Sequence, residues 1–165
     1  MPLDDQQLMQ LVMQGRCELF DELVTRYRAA LLRVAFSKLH DRTDAEDVVQ
    51  ETFLAVLKFK HTFDVSRSFR GWLWTILLNH CRLSLERQQR LHERHISLAQ
   101  LPPTCEPTSP ESSLSSLLAA ERTQLVHELL SQLPEVQADA LRLRFFGELK
   151  FEEIADVMTC SLNAA

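Results

Sequence analysis

Glycine and tyrosine are nearly missing from this chain, with three of the first and one of the second among 165 residues. Leucine, alanine, glutamate, glutamine and arginine abound instead, a mixture that favours helices over sheets. No apolar run is long enough to cross a bilayer, and Asp4 and Asp5 make the N-terminus acidic, unlike a secretory signal. The chain is therefore expected to be cytoplasmic, with no membrane insertion. Its four cysteines, Cys17, Cys81, Cys105 and Cys160, lie far apart without a Cys-x-x-Cys pair, so free thiols are the simpler reading than a disulfide framework. There is no glycine-rich phosphate loop, nucleophile motif or Ser/His/Asp set, so neither catalysis nor a cofactor is expected.

Metal binding has thin support. Asp44, Glu46, Asp47 and Glu51 fall on a helix surface with no histidine in register. His92 and His95, at i and i+3, could form half a zinc site with Cys105 as a third ligand. Elemental analysis showing no stoichiometric zinc would remove that reading, and no metal site is expected.

The net charge of -5 argues at first against nucleic acid, but the average hides a pattern. Residues 1–57 hold six basic and ten acidic side chains, and residues 95–165 hold four and ten. Between Arg67 and Arg94 stand six arginines (67, 70, 82, 87, 90, 94) against Glu86 and Glu93. A basic island in an acidic chain suggests one surface that meets a polyanion while the rest meets protein or water; a solvated arginine-rich helix would give the same count.

Four of the six prolines and six serines lie between Ser97 and Ser116, a stretch that cannot sustain a helix and reads as a flexible linker. The expected architecture is all-α. A first helical domain spans residues 1–96, the linker covers 97–116, and a smaller second domain spans 117–165. In the first domain Asp4 can cap a short helix carrying Leu8, Leu11 and Val12. A second helix runs from about Cys17 to Leu39, with Phe20, Leu23, Val24, Tyr27, Leu31, Val34 and Ala35 as one apolar stripe. Asp44 is expected to cap a third, whose apolar positions are Val48, Val49, Phe53, Val56 and Leu57. A fourth runs from about Phe69 to Leu91. In the second domain, Leu114 to Leu133 forms a helix that ends before Pro134. Another spans Glu135 to Phe146, with Val136, Ala140, Leu141 and Leu143 buried and Gly147 as its cap. Phe151 to Met158 then forms a two-turn helix.

Three features carry functional information. The helix Phe151–Met158, with Ala155 small enough for a helix crossing, leads through Thr159-Cys160 to Ser161, a good N-cap. That is the layout of a helix-turn-helix, although other helical hairpins would share it. Only Leu162 to Ala165 remain for its second helix, about one turn, without a basic residue and too short to span a major groove. The domain is therefore expected to be incomplete here, the natural protein continuing with basic helix. The second feature, Asp44-Ala-Glu-Asp-Val-Val-Gln-Glu-Thr-Phe53, leaves Asp44, Asp47, Gln50 and Glu51 on an outer face. It is either a solvated surface or an acidic docking face for another protein. The third is Phe63-Asp-Val-Ser-Arg-Ser-Phe-Arg-Gly-Trp-Leu-Trp74, followed by Asn79 and the arginines. Rings, guanidinium groups and hydroxyls interleaved in this way suit single-stranded nucleic acid; Trp72, in register with Ile76 and Leu83, reads as core.

Together and in this order, the three features resemble the extracytoplasmic-function class of bacterial RNA polymerase sigma factors over nearly the whole chain, from about Leu8 to Ala165. The matching stretches are Phe20-Asp-Glu-Leu-Val, the acidic decapeptide Asp44–Phe53, Phe69-Arg-Gly-Trp-Leu-Trp with Asn79, and Leu133-Pro with Phe151-Glu-Glu-Ile-Ala. The resemblance implies a transcription initiation factor that binds RNA polymerase core and directs it to promoter DNA. Asp44, Asp47, Gln50, Glu51, Phe53 and Leu54 would dock on the clamp helices of the largest polymerase subunit. Phe63, Ser66, Arg67 and Ser68, with Asn79, would receive a base flipped from the non-template strand of the promoter element nearest the start site, and Arg70 would also contact DNA. Arg82, Arg87 and Arg90 would hold neighbouring phosphates. The second domain would read the upstream element, and an anti-sigma factor is implied as a further partner. This chain departs from the family at Leu83 and Glu86, where arginines are usual, and at Thr159, where glycine is common. The remaining reading is a helical module that binds only protein.

Overall fold

In a computed structural model of the chain, residues 3–96 and 125–159 are described, with side chains up to residue 93 in the first span. The linker 97–116, Cys105, Cys160 and the residues after it, and the side chain of His95 lie outside the described residues. Those that are described form helices and turns, without a strand. The helices are α1 (Asp5–Met13), α2 (Phe20–Leu39), α3 (Arg42–Phe59), α4 (Phe69–Ile96), α5 (residues 125–131), α6 (Glu135–Phe145) and α7 (Phe151–Met158). None is long and apolar enough to cross a membrane.

Local signals account for most boundaries in the first half. Asp4 Oδ1 accepts from Gln7 N at 2.7 Å, and Gln7 Oε1 accepts from Asp4 N at 3.1 Å, a reciprocal cap that starts α1. Helix α2 ends at His40, which takes the left-handed conformation (φ 58°) and donates its N–H to Phe36 O. The cap of α3 is Asp41 rather than Asp44: its carboxylate accepts from Asp44 N at 2.8 Å. Asp44 sits in the first turn, where the helix dipole favours an acid, and its side chain reaches across to accept from Gln88 Nε2 on α4. The apolar stripes of α2 and α3 face each other and α4, with α1 closing one end. Leu23, Leu31, Val34, Ala35 and Val56 are fully buried there with Leu73, Leu77 and Cys81 of α4. Burial in this apolar setting pushes the Cys81 thiol up to about 12, which keeps it protonated and inert.

The second half does not stand apart. Its buried Leu143, Leu149, Ile154 and Val157 join the core of the first half in one continuous cluster, because α7 packs on α4 and α6 touches α2. Three sets of contacts make the joint. Lys38 of α2, its side chain only 2% exposed, places Nζ 2.8 Å from Glu135 Oε1 and 2.7 Å from Asp139 Oδ2, while Arg142 Nη1 holds Asp139 Oδ1 at 2.9 Å. The guanidinium of Arg70 donates to the carbonyls of Gly147 (3.1 Å) and Glu148 (3.0 Å) and lies 3.5 Å from Glu153. Arg33 donates Nε to Phe146 O at 3.2 Å and pairs with Glu148 at 3.5 Å.

This docking corrects the expected burial in α6. Its inward positions are Ala138, Asp139, Arg142 and Leu143, so Val136 (66% exposed) and Leu141 lie on the outside. A buried ion cluster, which apolar periodicity cannot register, turned the helix. Gly147 is likewise not the left-handed cap; that conformation falls on Glu148 (φ 56°). Glycine is required at 147 for space, since a Cβ would stand 2.8 Å from Leu143 O, 2.9 Å from Leu149 Cδ1 and 3.1 Å from Trp74 Cη2. Gly147→Ala is expected to cost about 1–3 kcal/mol, the usual range for overpacking, read as a lower thermal midpoint by circular dichroism.

The joint also holds two histidines, His40 at the end of α2 and His127 of α5, with ring centroids 4.7 Å apart at 88°. Burial is the main cause that holds both below the ordinary 6.5; the neighbouring His127 and Arg142 add to it for His40, and Arg142 for His127, against a raising hydrogen bond to the Ser37 backbone. A group whose pKa is depressed on docking favours its neutral form in the docked state. That contribution is whole above 6.5 and fades as pH falls through the lowered values. Glu135, held low by its hydrogen bond to Lys38, acts in a separate window below 4.5. Lowering the pH from about 7.5 to about 5.5 should therefore loosen the joint. The expected readout is a larger radius of gyration in solution scattering, blunted in a chain carrying both His40→Gln and His127→Gln.

Candidate nucleic-acid interface

The segment between α3 and α4 forms a braced loop. Asp64 Oδ1 accepts from Ser66 N at 2.9 Å and from Ser66 Oγ at 2.7 Å, bonds that hold its carboxyl below the usual range. Arg67 N donates to Asp64 O at 2.9 Å, and Ser68 Oγ accepts from Gly71 N at 3.3 Å as α4 begins. The brace comes from α1: Gln6 Nε2 donates to Val65 O (2.5 Å) and Arg67 O (2.6 Å), while its Oε1 accepts from Phe69 N at 3.1 Å. Gln6 carried no sequence signal, since its partners lie some sixty positions away and nothing local marks a glutamine in a helix's first turn.

Beside this loop is a cavity of about 510 Å³, lined by Thr62, Phe63, Asp64, Ser66, Arg67, Ser68, Gly71, Trp72 and Thr75, with Asp156 and Thr159 from the second half. Phe63 is only 5% exposed, its ring edge-on to Phe69 at 5.9 Å and tilted against Trp72 at 5.0 Å. Trp72 is half-buried and keeps part of its surface on the cavity. Trp72 packs against the core, as expected, but is half-buried rather than enclosed. The core stripe of α4 is Leu73, Trp74, Leu77 and Cys81, one position off the register read from Trp72, Ile76 and Leu83, and Leu83 is exposed. The accessible ring is an indole, and Phe63 supports it from below.

Asn79 is exposed on α4 one turn beyond Thr75 and is not among the lining residues. Arg82 and Arg90 continue along the helix, both exposed and both drawn toward Glu86 (3.5 and 3.9 Å). Arg87 points instead to α3, 3.7 Å from Glu51. Arg70 is occupied by the carbonyls of Gly147 and Glu148.

On α3 a different face emerges. Asp47, Gln50 and Leu54 are exposed at spacings of three and four, and Leu54 is a bare apolar side chain at 58%. Glu51 flanks them, tied to His80 Nδ1 (3.3 Å) and Arg87. Phe53 points the other way, into the core edge-on to Phe20 at 6.0 Å, so its side chain is not part of this face.

In the second half α7 follows α6 through a turn in which Arg144 Nη1 donates to Leu149 O at 2.9 Å, and Lys150 N donates to Glu153 Oε2 at 2.7 Å. Ala155 is buried where the helices approach. Thr159 closes α7 in the left-handed region (φ 51°), a strained position for a β-branched residue.

Comparison with known proteins matches this layout piece by piece. Sequence models of Sigma-70 region 2 and Sigma-70, region 4 match residues 23–91 and 123–165. The RNA polymerase sigma-H factor of Pseudomonas aeruginosa is 31% identical over 96% of this chain and 84% of its own length. The ECF RNA polymerase sigma-E factor of Escherichia coli K12 is 30% identical over 98% of this chain and 86% of its own. The chain belongs to the extracytoplasmic-function sigma factors.

Solved structures share the fold. CnrH in complex with the cytosolic domain of CnrY superposes with a TM-score of 0.69 at 25% identity, covering 97% of this chain and 86% of that one. The sigma factor RpoE of Bartonella quintana, in complex with the anti-sigma factor NepR, gives 0.63 at 21%, covering 88% and 86%. Region 2 contains the loop, all but two of the residues lining its cavity and the acidic face of α3, and region 4 contains α6 and α7. As a sigma factor the chain serves RNA polymerase in transcription initiation.

Proposed function

We propose that the first domain, residues 1–96, performs two tasks for the polymerase: it docks on the largest subunit, and it captures the melted non-template strand of the promoter element nearest the start site. The face formed by Asp47, Gln50, Leu54 and the flanking Glu51, with Asp44 at its start, is the docking surface. The loop cavity takes a flipped base, with the Trp72 indole for stacking and Ser66, Ser68 and Arg67 for hydrogen bonds. Asn79 stands next along the strand path, and Arg82 and Arg90 hold phosphates beyond it. The pull of Glu86 on those two arginines leaves the grip moderate, and Arg87 contributes from the α3 side. An anti-sigma factor regulates the whole.

The observation that carries this reading is one coincidence within region 2. A cavity roomy enough for a nucleobase, walled by an accessible indole, sits at the head of a helix whose outer face bears an amide and then arginines. Fluorescence anisotropy with single-stranded promoter DNA tests it. Trp72→Ala should weaken binding by about tenfold, within the 1–3 kcal/mol that one base stacking on one ring supplies. Arg90→Ala should lower the slope of log affinity against log salt by about one. Unchanged affinity and slope in both variants would overturn the assignment.

A further inference from the structure

The loop that walls the base cavity is tied down by a residue from outside the region 2 match. Gln6 stands on α1, and that match begins only at residue 23. Its amide nitrogen donates to two loop carbonyls, Val65 O at 2.5 Å and Arg67 O at 2.6 Å, while Oε1 accepts from Phe69 N at 3.1 Å. The two carbonyls belong to the peptide units that lead into Ser66 and Ser68, both of which line the cavity, whereas Gln6 does not. Phe69 N is one of the amides that a helix start leaves without a partner in its own backbone. The bonds demand this residue type. Glutamate has no donor when ionised, lysine and arginine have no acceptor, and asparagine is one carbon shorter. Helix α1 gives the side chain a firm base. Leu8, Met9 and Val12 are buried in the core, and Asp5 accepts from Arg26 Nη1 at 2.8 Å and from the Tyr27 hydroxyl on α2.

We propose that Gln6 is a positioning residue for base capture: it touches no DNA, and it holds the loop in the shape that presents Ser66, Arg67 and Ser68 to the flipped base. The proposal rests on the base-cavity reading above. Its physical basis is preorganisation. The bonds from Ser66 to Asp64 and from Arg67 N to Asp64 O tie the loop only to itself. The three bonds of Gln6 tie it to the body of the domain. A loop freed from them visits other shapes, and its affinity for DNA falls by the fraction of time it spends in the right one. Binding would then also have to order the loop, at a cost in entropy that the braced loop has already met on folding. Helix α1 is in this way a functional part of the DNA site, although its contribution is transmitted through the loop backbone.

The test uses the full chain and a fluorescent single-stranded DNA pool of random sequence, about twelve nucleotides long, at low salt. Anisotropy gives the affinity of the unmodified chain, of Gln6→Met, of Trp72→Ala and of the chain carrying both, and circular dichroism gives their helix content. Gln6→Met keeps the length of the side chain and removes all three bonds. It should bind about tenfold more weakly if the unbraced loop holds the right shape one time in ten. A merely structural role would leave the affinity of a folded variant where it was. Coupling to the indole is the decisive readout. Once Trp72→Ala has removed the stacking surface, Gln6→Met should cost only about twofold more, because two residues that serve one captured base are not additive. Gln6→Glu keeps the acceptor for Phe69 N but sets a carboxylate against two carbonyls, and it is read in place of Gln6→Met should that chain lose helical content. A variant at Gln6 of native helicity that binds like the parent sinks the positioning role, while a weakened Trp72→Ala leaves the cavity reading intact. So does a loss that persists undiminished beside Trp72→Ala. Unchanged binding by Trp72→Ala, or no binding by the unmodified chain, sinks the cavity reading itself, and the positioning role with it.

Discussion

Asp47→Arg is expected to weaken binding of this chain to core RNA polymerase by about a hundredfold or more, close to 3 kcal/mol. The residue is exposed on α3, one turn from Gln50 and two from the bare Leu54, so the three form one stripe. A charge at the centre of a desolvated contact is where single substitutions reach hot-spot size, and reversing its sign adds repulsion to the lost attraction. Because Asp47 makes no contact with the core, the fold should survive, and circular dichroism should show helix content unchanged. Asp21→Arg, an equally exposed acid in the first turn of α2, is the control and should bind the polymerase as before. Surface interferometry with purified core enzyme decides. Equal affinity for the two variants would remove α3 as the docking face.

The second large effect lies at the joint between the halves. Asp139 is a carboxylate shared by two buried cations, Lys38 and Arg142, whose side chains are 2% and 8% exposed. Asp139→Asn leaves those charges facing each other with only the solvent-exposed Glu135 to answer them. Removing one member of a buried ionic cluster in this way costs about 3–5 kcal/mol. Lys38→Met should behave differently. It replaces one cation by an apolar side chain of similar length and leaves the Asp139–Arg142 pair whole, so its cost should be clearly smaller. The measurement is chemical unfolding of the two variants alongside the parent, with scattering to report separation of the halves. A Lys38→Met chain as destabilised as Asp139→Asn would show that the cluster acts through the lysine rather than through the shared carboxylate.

The side chains of the α3 face and of the joint are presented by the sequence in different ways. The α3 face was legible because helical spacing alone sends Val48, Val49, Phe53 and Val56 inward and Asp47, Gln50 and Leu54 outward. The arginine run on α4 was legible for the same reason. The capping of α1 by Asp4 needed only residues three apart. Phe53 was misplaced on the docking face because a motif names a stretch of chain, while the helix assigns alternate sides to its members. Trp72 and Trp74 were hard to separate because the two indoles stand two positions apart at the start of α4, and only the bodies packed against each decide which is enclosed.

What the sequence by itself determined is therefore the main helices, the faces that α2 and α3 bury, and the membership in a family, since all of these follow from side chains within a few turns of each other. Only the tertiary structure decided that Gln6 braces the loop, that Trp72 rather than Trp74 keeps surface on the cavity, and that Lys38 meets Asp139 a hundred positions away. It also decided that Arg70 is held by the second half. Each of those outcomes depends on which two surfaces meet. No periodicity records such a meeting, because a hydrogen bond or ion pair between distant residues leaves no repeat in the chain that makes it.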